Sequence, residues 1–323
     1  MSQVKELAVP AIRVGVSLCL LGEKVRHDGG HKHNRYVTGV LGRWFEFVPV
    51  CPEVEVGMGV PRESVRLVGK PGSVRMVRIR SGEDWTDRVT GFAAKRAARS
   101  DLDDICGYIF KKDSPSCGIE RVKLYSKDGM PQRKERGLWA SAVAKRHPLL
   151  PIEDEGRLND ARLRDNFITR VFAYARLRRM FEGHWNRGQL VDFHARHKYL
   201  VLAHHPEGYK SLGRLVAAAK RHAPVALRDE YSRLFMEALS YKATAAKNTN
   251  VLLHMLGFLK RDLGSFEKQD LLEVIHNYRR GLVPLIVPLT LVKHYIEKHD
   301  VPYVRDQVYL NPHPQELMLR NHV

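Results

Sequence analysis

Three of the chain's four cysteines stand in turn-forming settings at the ends of expected strands. They are Cys19 in Ser17-Leu18-Cys19-Leu20-Leu21-Gly22, Cys51 in Val48-Pro49-Val50-Cys51-Pro52-Glu53, and Cys117 in Ser114-Pro115-Ser116-Cys117-Gly118. In an open α/β sheet, ligands bind beyond the carboxyl ends of the strands. Three thiolates converging there can hold a metal centre with one coordination position left open. Thiolates are soft ligands that suit zinc, copper(I) or iron–sulfur clusters. The Cys-x-x-Cys knuckle of structural zinc is absent, as is the Cys-x-x-x-Cys-x-x-Cys run of radical enzymes. A cluster held by three protein cysteines leaves one iron free to act as a Lewis acid. The alternative is three small buried residues near strand ends. Cys106, inside the apolar run Ile105–Phe110, reads as a buried core residue.

Polar groups able to assist surround these cysteines. Glu53 follows Cys51 across a proline and could serve as general base or acid. Ser114 and Ser116 flank Pro115, and Ser17 lies close to Cys19, where hydroxyls can bind a substrate oxygen or nitrogen. Arg26 and Asp28 belong to the polar loop Val25–Gly30 and could touch substrate or order the site. Each of these side chains could equally cap a turn.

The elements that must position them alternate between strand and helix signals. Arg13–Leu18, Phe47–Val50, Val65–Val68, Val74–Ile79, Ile105–Phe110 and Val122–Ser126 read as extended segments. Thr38–Phe45, Trp85–Ser100 and Gly137–Arg146 read as helices. This alternation predicts an α/β domain with a Rossmann-like, mostly parallel sheet over residues 1–152. Pro148–Gly156, with two prolines and three acids, resembles a short linker. Residues 160–323 then change to helical periodicity, predicting an all-α domain. Its expected helices are Ala161–Glu182, Gln189–His204, Pro206–Arg221, Arg228–Lys242, Asn250–Leu263, Phe266–Arg279 and Leu285–Lys298, with start signals at Pro206 and Ser265.

The motifs Ser17–Gly22, Arg26-His27-Asp28-Gly29, Pro49–Glu53 and Ser114–Gly118 together resemble the thiouracil desulfidase family, with His27 where that family usually has tyrosine. The resemblance covers about residues 10–150. It implies a 4Fe-4S cluster held by Cys19, Cys51 and Cys117, with Glu53 and Ser114 assisting removal of sulfur from a thiolated uracil. A water activated by Glu53 would attack the thiocarbonyl carbon, so the reaction is hydrolytic and needs no electron donor. The second half resembles the all-helical domain of unknown function often fused to this desulfidase. That resemblance runs through Phe193–Tyr199, Leu212-Gly213-Arg214, Asn250-Val251-Leu252, Tyr278–Leu285 and Tyr309–Pro314. The fused arrangement looks like the desulfidases that act on thiouridine in tRNA, with 4-thiouridine favoured.

Composition bounds the remaining choices. At 323 residues with 44% hydrophobic content, two packed cores are the expectation. Four cysteines in such a length do not form a disulfide scaffold. Met1–Pro10 has no apolar signal core, and the longest apolar run, Leu282–Val292, is broken by Pro284 and Pro288. A cytoplasmic protein without membrane spans is therefore expected. The net charge of +18 is spread over both halves and favours a polyanionic partner, nucleic acid above all. Arg196, Lys198, Arg214, Arg279 and Arg280 are the candidate RNA contacts. His194, His197, His204 and His205 invite a zinc site, though phosphate contact or helix capping is the more natural role. Free thiouracil as substrate, or a nucleic-acid-binding or redox-sensing protein with a non-catalytic cluster, are the competing readings.

Overall fold

The structure, a computed structural model, describes residues 11–126 and 129–322, so the reading of the first ten residues lies outside it. The chain divides into two compact units, Met1–Asn159 and Asp160–Val323.

The first unit opens with β1 (Ile12–Ser17), whose residues are almost all buried, as expected of a strand covered on both faces. It is followed by β2 (Phe45–Val50), the short helix α1 (Pro52–Glu55), β3 (Val65–Lys70), β4 (Ser73–Arg78) and helix α2 (Thr86–Ala97). Next come β5 (Tyr108–Phe110), β6 (Val122–Tyr125), β7 (Pro131–Glu135), helix α3 (Leu138–Arg146) and β8 (Ile152–Asp154). Four of these strands form a wholly parallel sheet in the order β2-β1-β5-β8. The chain leaves β1 toward one edge to make β2, then returns across β1 to make β5. The boundary between β1 and β5 is therefore the topological switch point, beside which ligands bind. Gly15 of β1 permits the close fit there, because a Cβ would lie 2.2 Å from the Tyr108 ring. Tyr108 in turn accepts a hydrogen bond from the buried Trp139 indole at 2.9 Å.

The β2-β1-β5-β8 sheet is the parallel sheet expected from the sequence, and a further sheet stands in the same unit. A second four-stranded sheet, β4-β3-β6-β7, consists of two antiparallel hairpins joined by the parallel β3–β6 pair. Its inner face meets α2 through Met58, Leu67, Met76, Trp85, Val89, Val122 and Leu124.

Two local expectations are corrected. Residues expected as a helix at Thr38–Phe45 form a π turn over Tyr36–Val40 and a 3-10 turn over Leu41–Arg43, and Phe45 already belongs to β2. Gly39, Gly42 and the β-branched Val37, Thr38 and Val40 weaken a regular helix. Pro148–Gly156 is not simply a linker, for it contains β8, which pairs with β5 along the sheet edge.

The second unit is helical: α4 (Ala161–Met180), α5 (Arg187–His204), α6 (Pro206–Ala217), α7 (Pro224–Ser240), α8 (Ala245–Leu259), α9 (Ser265–Arg279), α10 (Ile286–Lys298) and α11 (Pro302–Arg305). Side chains set their starts. Asp160 accepts from the N–H groups of Arg162 and Leu163, and Asn186 and Gln189 form a reciprocal capping box on α5. Helices α7 and α8 begin about a turn earlier than their apolar periodicity suggested: α7 at Pro224 in its first turn, and α8 after Thr244, whose hydroxyl caps Lys247 N–H. Helix α9 starts at Ser265, but its entry is held by Glu267 accepting from Gly264 N–H at 2.9 Å. No described helix is long and apolar enough to cross a membrane.

Candidate functional site

The carboxyl ends of β1, β2 and β5 each deliver one cysteine. After Ser17 the chain turns through a 3-10 segment, Leu18–Leu21, closed by Gly22 at φ +103°. Cys19 lies in this turn, and its carbonyl accepts from Lys32 N–H at 2.9 Å. Cys51 caps α1, with Pro52 in the first turn, and its N–H donates to Glu55 Oε1 at 3.0 Å. Glu55 is itself held by the buried Arg96 guanidinium at 2.9 Å. Cys117 ends the loop beyond β5, where Ser114 Oγ accepts from the N–H groups of Ser116 and Cys117 at 3.2 and 3.1 Å. Gly137 packs directly under that loop, since a Cβ there would meet Ser116 O at 2.3 Å.

The three cysteines line one cavity of about 350 Å³, together with Ser17, Arg26, His27, Glu53, Arg62, Lys111 and Ser114. All three are free thiols. Burial pushes Cys19 up to about 11, with the Cys51 charge adding to it and Lys111 opposing. Burial likewise raises Cys51, and raises Cys117 well above the ordinary thiol value, with Ser17 hydrogen-bonded to the Cys117 side chain. Cys117 also feels the charges of Cys19, Glu53 and Cys51, so these groups share one electrostatic neighbourhood. Loading with a metal centre must therefore expel thiol protons.

The donor set fits an iron–sulfur cluster. Three soft ligands come from three separate strand ends, and Arg26, Arg62 and Lys111 stand nearby to offset thiolate charge. Among the described residues no group of three or more His, Cys, Asp or Glu side chains closes on a single metal ion. A cluster, in which each thiolate takes its own iron, needs its ligands spread more widely than one ion does. Cys106 is buried, does not line the cavity, and has its sulfur 3.7 Å from Asp104 O.

Glu53 is held on both carboxylate oxygens. Oε2 accepts from Arg62 Nε at 3.1 Å and Nη2 at 2.5 Å, while Oε1 accepts from Ser116 Oγ at 2.8 Å. Arg62 also donates through Nη1 to Val25 O and Gly59 O, and its side chain is only 4% exposed. It thus ties the loop containing Arg26 to the glutamate. Ser116 is fully buried and reaches Glu53, not the cavity. Ser17 Oγ accepts from Lys111 N–H at 2.9 Å, and Lys111 pairs with Glu155 beyond β8. Arg26 lines the cavity, whereas Asp28 stands behind it, 3.4 Å from Arg26 Nε and accepting from Gly30 N–H at 3.0 Å. That main-chain bond, foremost, lowers the Asp28 carboxyl below its ordinary range. Sequence reasoning missed Arg62, Lys111 and Glu155.

In the helical unit, Arg196, Arg214, Arg279 and Arg280 are exposed. Lys198 is not a free surface charge: its ammonium lies 5.1 and 4.4 Å from the Tyr199 and Tyr303 ring centroids and bonds the Tyr303 hydroxyl. The four histidines disperse. His197 bonds Phe193 O at 2.7 Å, His204 bonds Tyr241 O at 2.6 Å, His194 meets the Tyr231 hydroxyl at 3.3 Å, and His205 caps α6 by accepting from Gly208 N–H at 3.0 Å. His205 thus caps a helix, one of the two roles weighed against a zinc site.

Comparison with known proteins yields two family models. The 2-thiouracil desulfurase model matches residues 14–155, and the model described as protein of unknown function (DUF1722) matches residues 198–314. The chain is 35% identical over 167 residues to the uncharacterized protein YbgA of Escherichia coli (strain K12), covering 51% of this chain and 98% of the relative. It is 32% identical over 150 residues to the uncharacterized protein YbbK of Bacillus subtilis (strain 168), covering 45% of this chain and 97% of that protein. A solved structure described as the [4Fe-4S]-dependent thiouracil desulfidase TudS is 28% identical, covers 46% of this chain and 94% of its own, and superposes with a TM-score of 0.36.

Proposed function

The chain belongs to the 2-thiouracil desulfurase family, with a DUF1722 domain joined to it, and on that premise we propose that it removes sulfur from thiouridine in tRNA. The favoured nucleoside is 4-thiouridine, and the products are uridine and sulfide. The reading rests foremost on one observation, that Cys19, Cys51, Cys117 and Glu53 line a single cavity at the switch point of a parallel sheet. In this reading the three thiolates hold a 4Fe-4S cluster. When bound, it supplies one iron without a protein ligand, a Lewis acid for the soft thiocarbonyl sulfur.

The chain's own residues do the rest. Glu53, fixed by Arg62 and Ser116, accepts a proton from the attacking water and delivers it to the departing sulfur. The ring carbon thereby exchanges sulfur for oxygen, and no electrons are consumed. Ser114 spends its acceptor capacity on two main-chain N–H groups, which leaves its hydroxyl proton for a substrate oxygen or nitrogen. Arg26 lines the cavity, where it orients the ring, while Ser17, committed to Lys111 N–H and the Cys117 side chain, supports a cluster ligand beside it. Arg62 and Ser116 are positioning residues, since both act through Glu53.

The basic helical unit favours polymeric RNA over the free base, which would not require it. Arg196, Arg214, Arg279 and Arg280, with Lys198, are the candidate phosphate contacts, and the ring would leave its stack to reach the cavity. The test assays the full chain on 4-thiouridine-containing tRNA and on free thiouracil across a salt series. Activity on tRNA, read as kcat/KM, should fall steeply as salt rises, while that on the base stays level. A flat response for both, with the free base preferred, would make thiouracil the substrate.

A further inference from the structure

The helical unit contains a cavity of about 460 Å³ between the start of α4, the start of α8 and the end of α9. Its lining is strongly one-signed. Arg162, Lys242, Arg279, Arg280 and Arg320 line it against one carboxylate, Asp165. Asp165 is already engaged, with His313 Nε2 and Thr169 Oγ1 each at 3.3 Å. Among the described residues none of those five cations forms a close salt bridge, although the Asp160 charge acts on Arg162 and Lys242 and the Asp165 charge on Arg320.

Arg320 points to a ligand most directly. It is only 8% exposed, and its guanidinium is held by Nη1 donating to Tyr309 O while its carbon lies 5.1 Å from the Tyr309 ring centroid. Its Nε is buried and has no hydrogen-bond partner. The Asp165 charge already acts on this buried guanidinium, and an anion in the cavity would give it a second partner. The first turn of α8 adds main-chain N–H groups of helix-dipole sign, since Thr244 and Ala245 also line the cavity.

Neutral polar groups also line the cavity. Asn166 commits its amide N–H groups to Leu239 O and Tyr241 O at 3.0 and 3.2 Å, which leaves its oxygen as an acceptor. The Tyr278 hydroxyl accepts from Asn248 Nδ2 at 3.0 Å, which leaves its proton to donate. Asn248 is fixed from behind by the buried Tyr309 hydroxyl at 3.0 Å. His204 stays uncharged, because burial lowers it to about 4. The volume far exceeds one phosphate group and falls in the range of small-molecule sites. Cations together with a donor and an acceptor in one lining match a phosphate ester carrying a sugar and a base.

We propose that this cavity is a nucleotide site, in which Arg162, Arg280 and Arg320 hold a phosphate while Asn166 and Tyr278 bind the attached ribose or base. The proposal deepens the RNA reading of the helical unit by naming one pocket in place of a diffuse surface. It does not depend on desulfidation, because it is read by binding alone.

The full chain is titrated with uridine 5′-monophosphate, uridine, inorganic phosphate and a short oligouridylate without terminal phosphates, by calorimetry at low salt. Arg162→Ala and Arg280→Ala are the variants, both at exposed positions where folding is not at stake. Arg233→Gln, whose native side chain pairs with Glu230 and Glu237 on α7, is the control. Each pocket variant should weaken binding about tenfold, and the control less than twofold. Binding of the monophosphate and phosphate but not the oligomer identifies a free phosphate monoester. Binding of the oligomer identifies an internal nucleotide of a strand. Either supports the site, whereas no binding by any probe, tighter binding of uridine than of its monophosphate, or equal losses in the control overturns it. Sulfide release by the same preparations reports on the first unit separately, so the two readings can fail independently.

Discussion

At the residue scale, Arg62 is the group whose removal should be most informative. Its guanidinium and the Glu53 carboxylate are both largely buried, and it also ties down Val25 O and Gly59 O. Arg62→Ala leaves a buried carboxylate without its counter-charge, a change that costs about 3–5 kcal/mol. We expect a clear fall in melting temperature and loss of turnover. Unchanged stability and activity would remove Arg62 from the site. The cysteines were legible in the sequence because turn residues at strand ends mark them, and Glu53 because it stands beside one. Arg62 was not, because its partner is set by the loop that follows α1, and no local pattern encodes that return. Ser116 was legible as a site residue but not as a support for Glu53, since a hydroxyl's direction is decided by packing.

At the element scale, the loop carrying Cys117 is held by close backbone approach as well as by the Ser114 and Ser116 side chains. Gly137→Ala would bring a Cβ to 2.3 Å from Ser116 O and 2.9 Å from Cys117 N, main-chain atoms that cannot rotate away. Overpacking of this kind costs about 1–3 kcal/mol, and it should also lower iron content after reconstitution by displacing Cys117. Gly91→Ala in α2 is the contrasting change: a Cβ there meets nothing within 4 Å, and helix stability should rise by about 1 kcal/mol. Equal iron loading by the wild type and Gly137→Ala would show that the loop is not so constrained. The parallel sheet was readable because its buried strands are continuous apolar runs. The second sheet's β7 and the edge strand β8 were not. β7 is a polar run, Pro-Gln-Arg-Lys-Glu, that pairs only because β6 lies beside it. β8 is three residues long, and two of them are acids, buried at the end of the sheet.

For the molecule as a whole, acid should weaken the helical unit. Burial lowers His197 to about 3 and His204 to about 4, so both are neutral in the folded state at pH values where the unfolded chain takes up protons. Below about pH 6.5 the unfolded state binds more protons than the native one, and each histidine then contributes a loss of about 1.4 kcal/mol per pH unit until its native value is reached. Asp165, held below its ordinary range chiefly by its His313 hydrogen bond against the opposing effect of burial, acts in the same direction at lower pH. Hydrogen exchange of α5 should show stability constant above about pH 6.5 and falling toward pH 4. A level profile through that window would contradict the burial of these rings. In the sequence, strand alternation gives way to helical periodicity from about residue 160, and the structure's two compact units meet at Asn159 and Asp160. The second cavity was not legible there, because its cations come from α4, α9 and the chain's last residues, far apart in sequence.

The central claim is that three thiolates from three strand ends hold one reactive cluster beside Glu53. The most direct measurement is anaerobic reconstitution followed by iron, sulfide and uracil or uridine quantification for the wild type, Cys51→Ala and Glu53→Ala. The account predicts about four irons per wild-type chain and one sulfide per desulfurated base. It further predicts no stable cluster in Cys51→Ala, and in Glu53→Ala a full cluster with turnover reduced at least about a hundredfold. Undiminished sulfide release by Cys51→Ala without iron would contradict it.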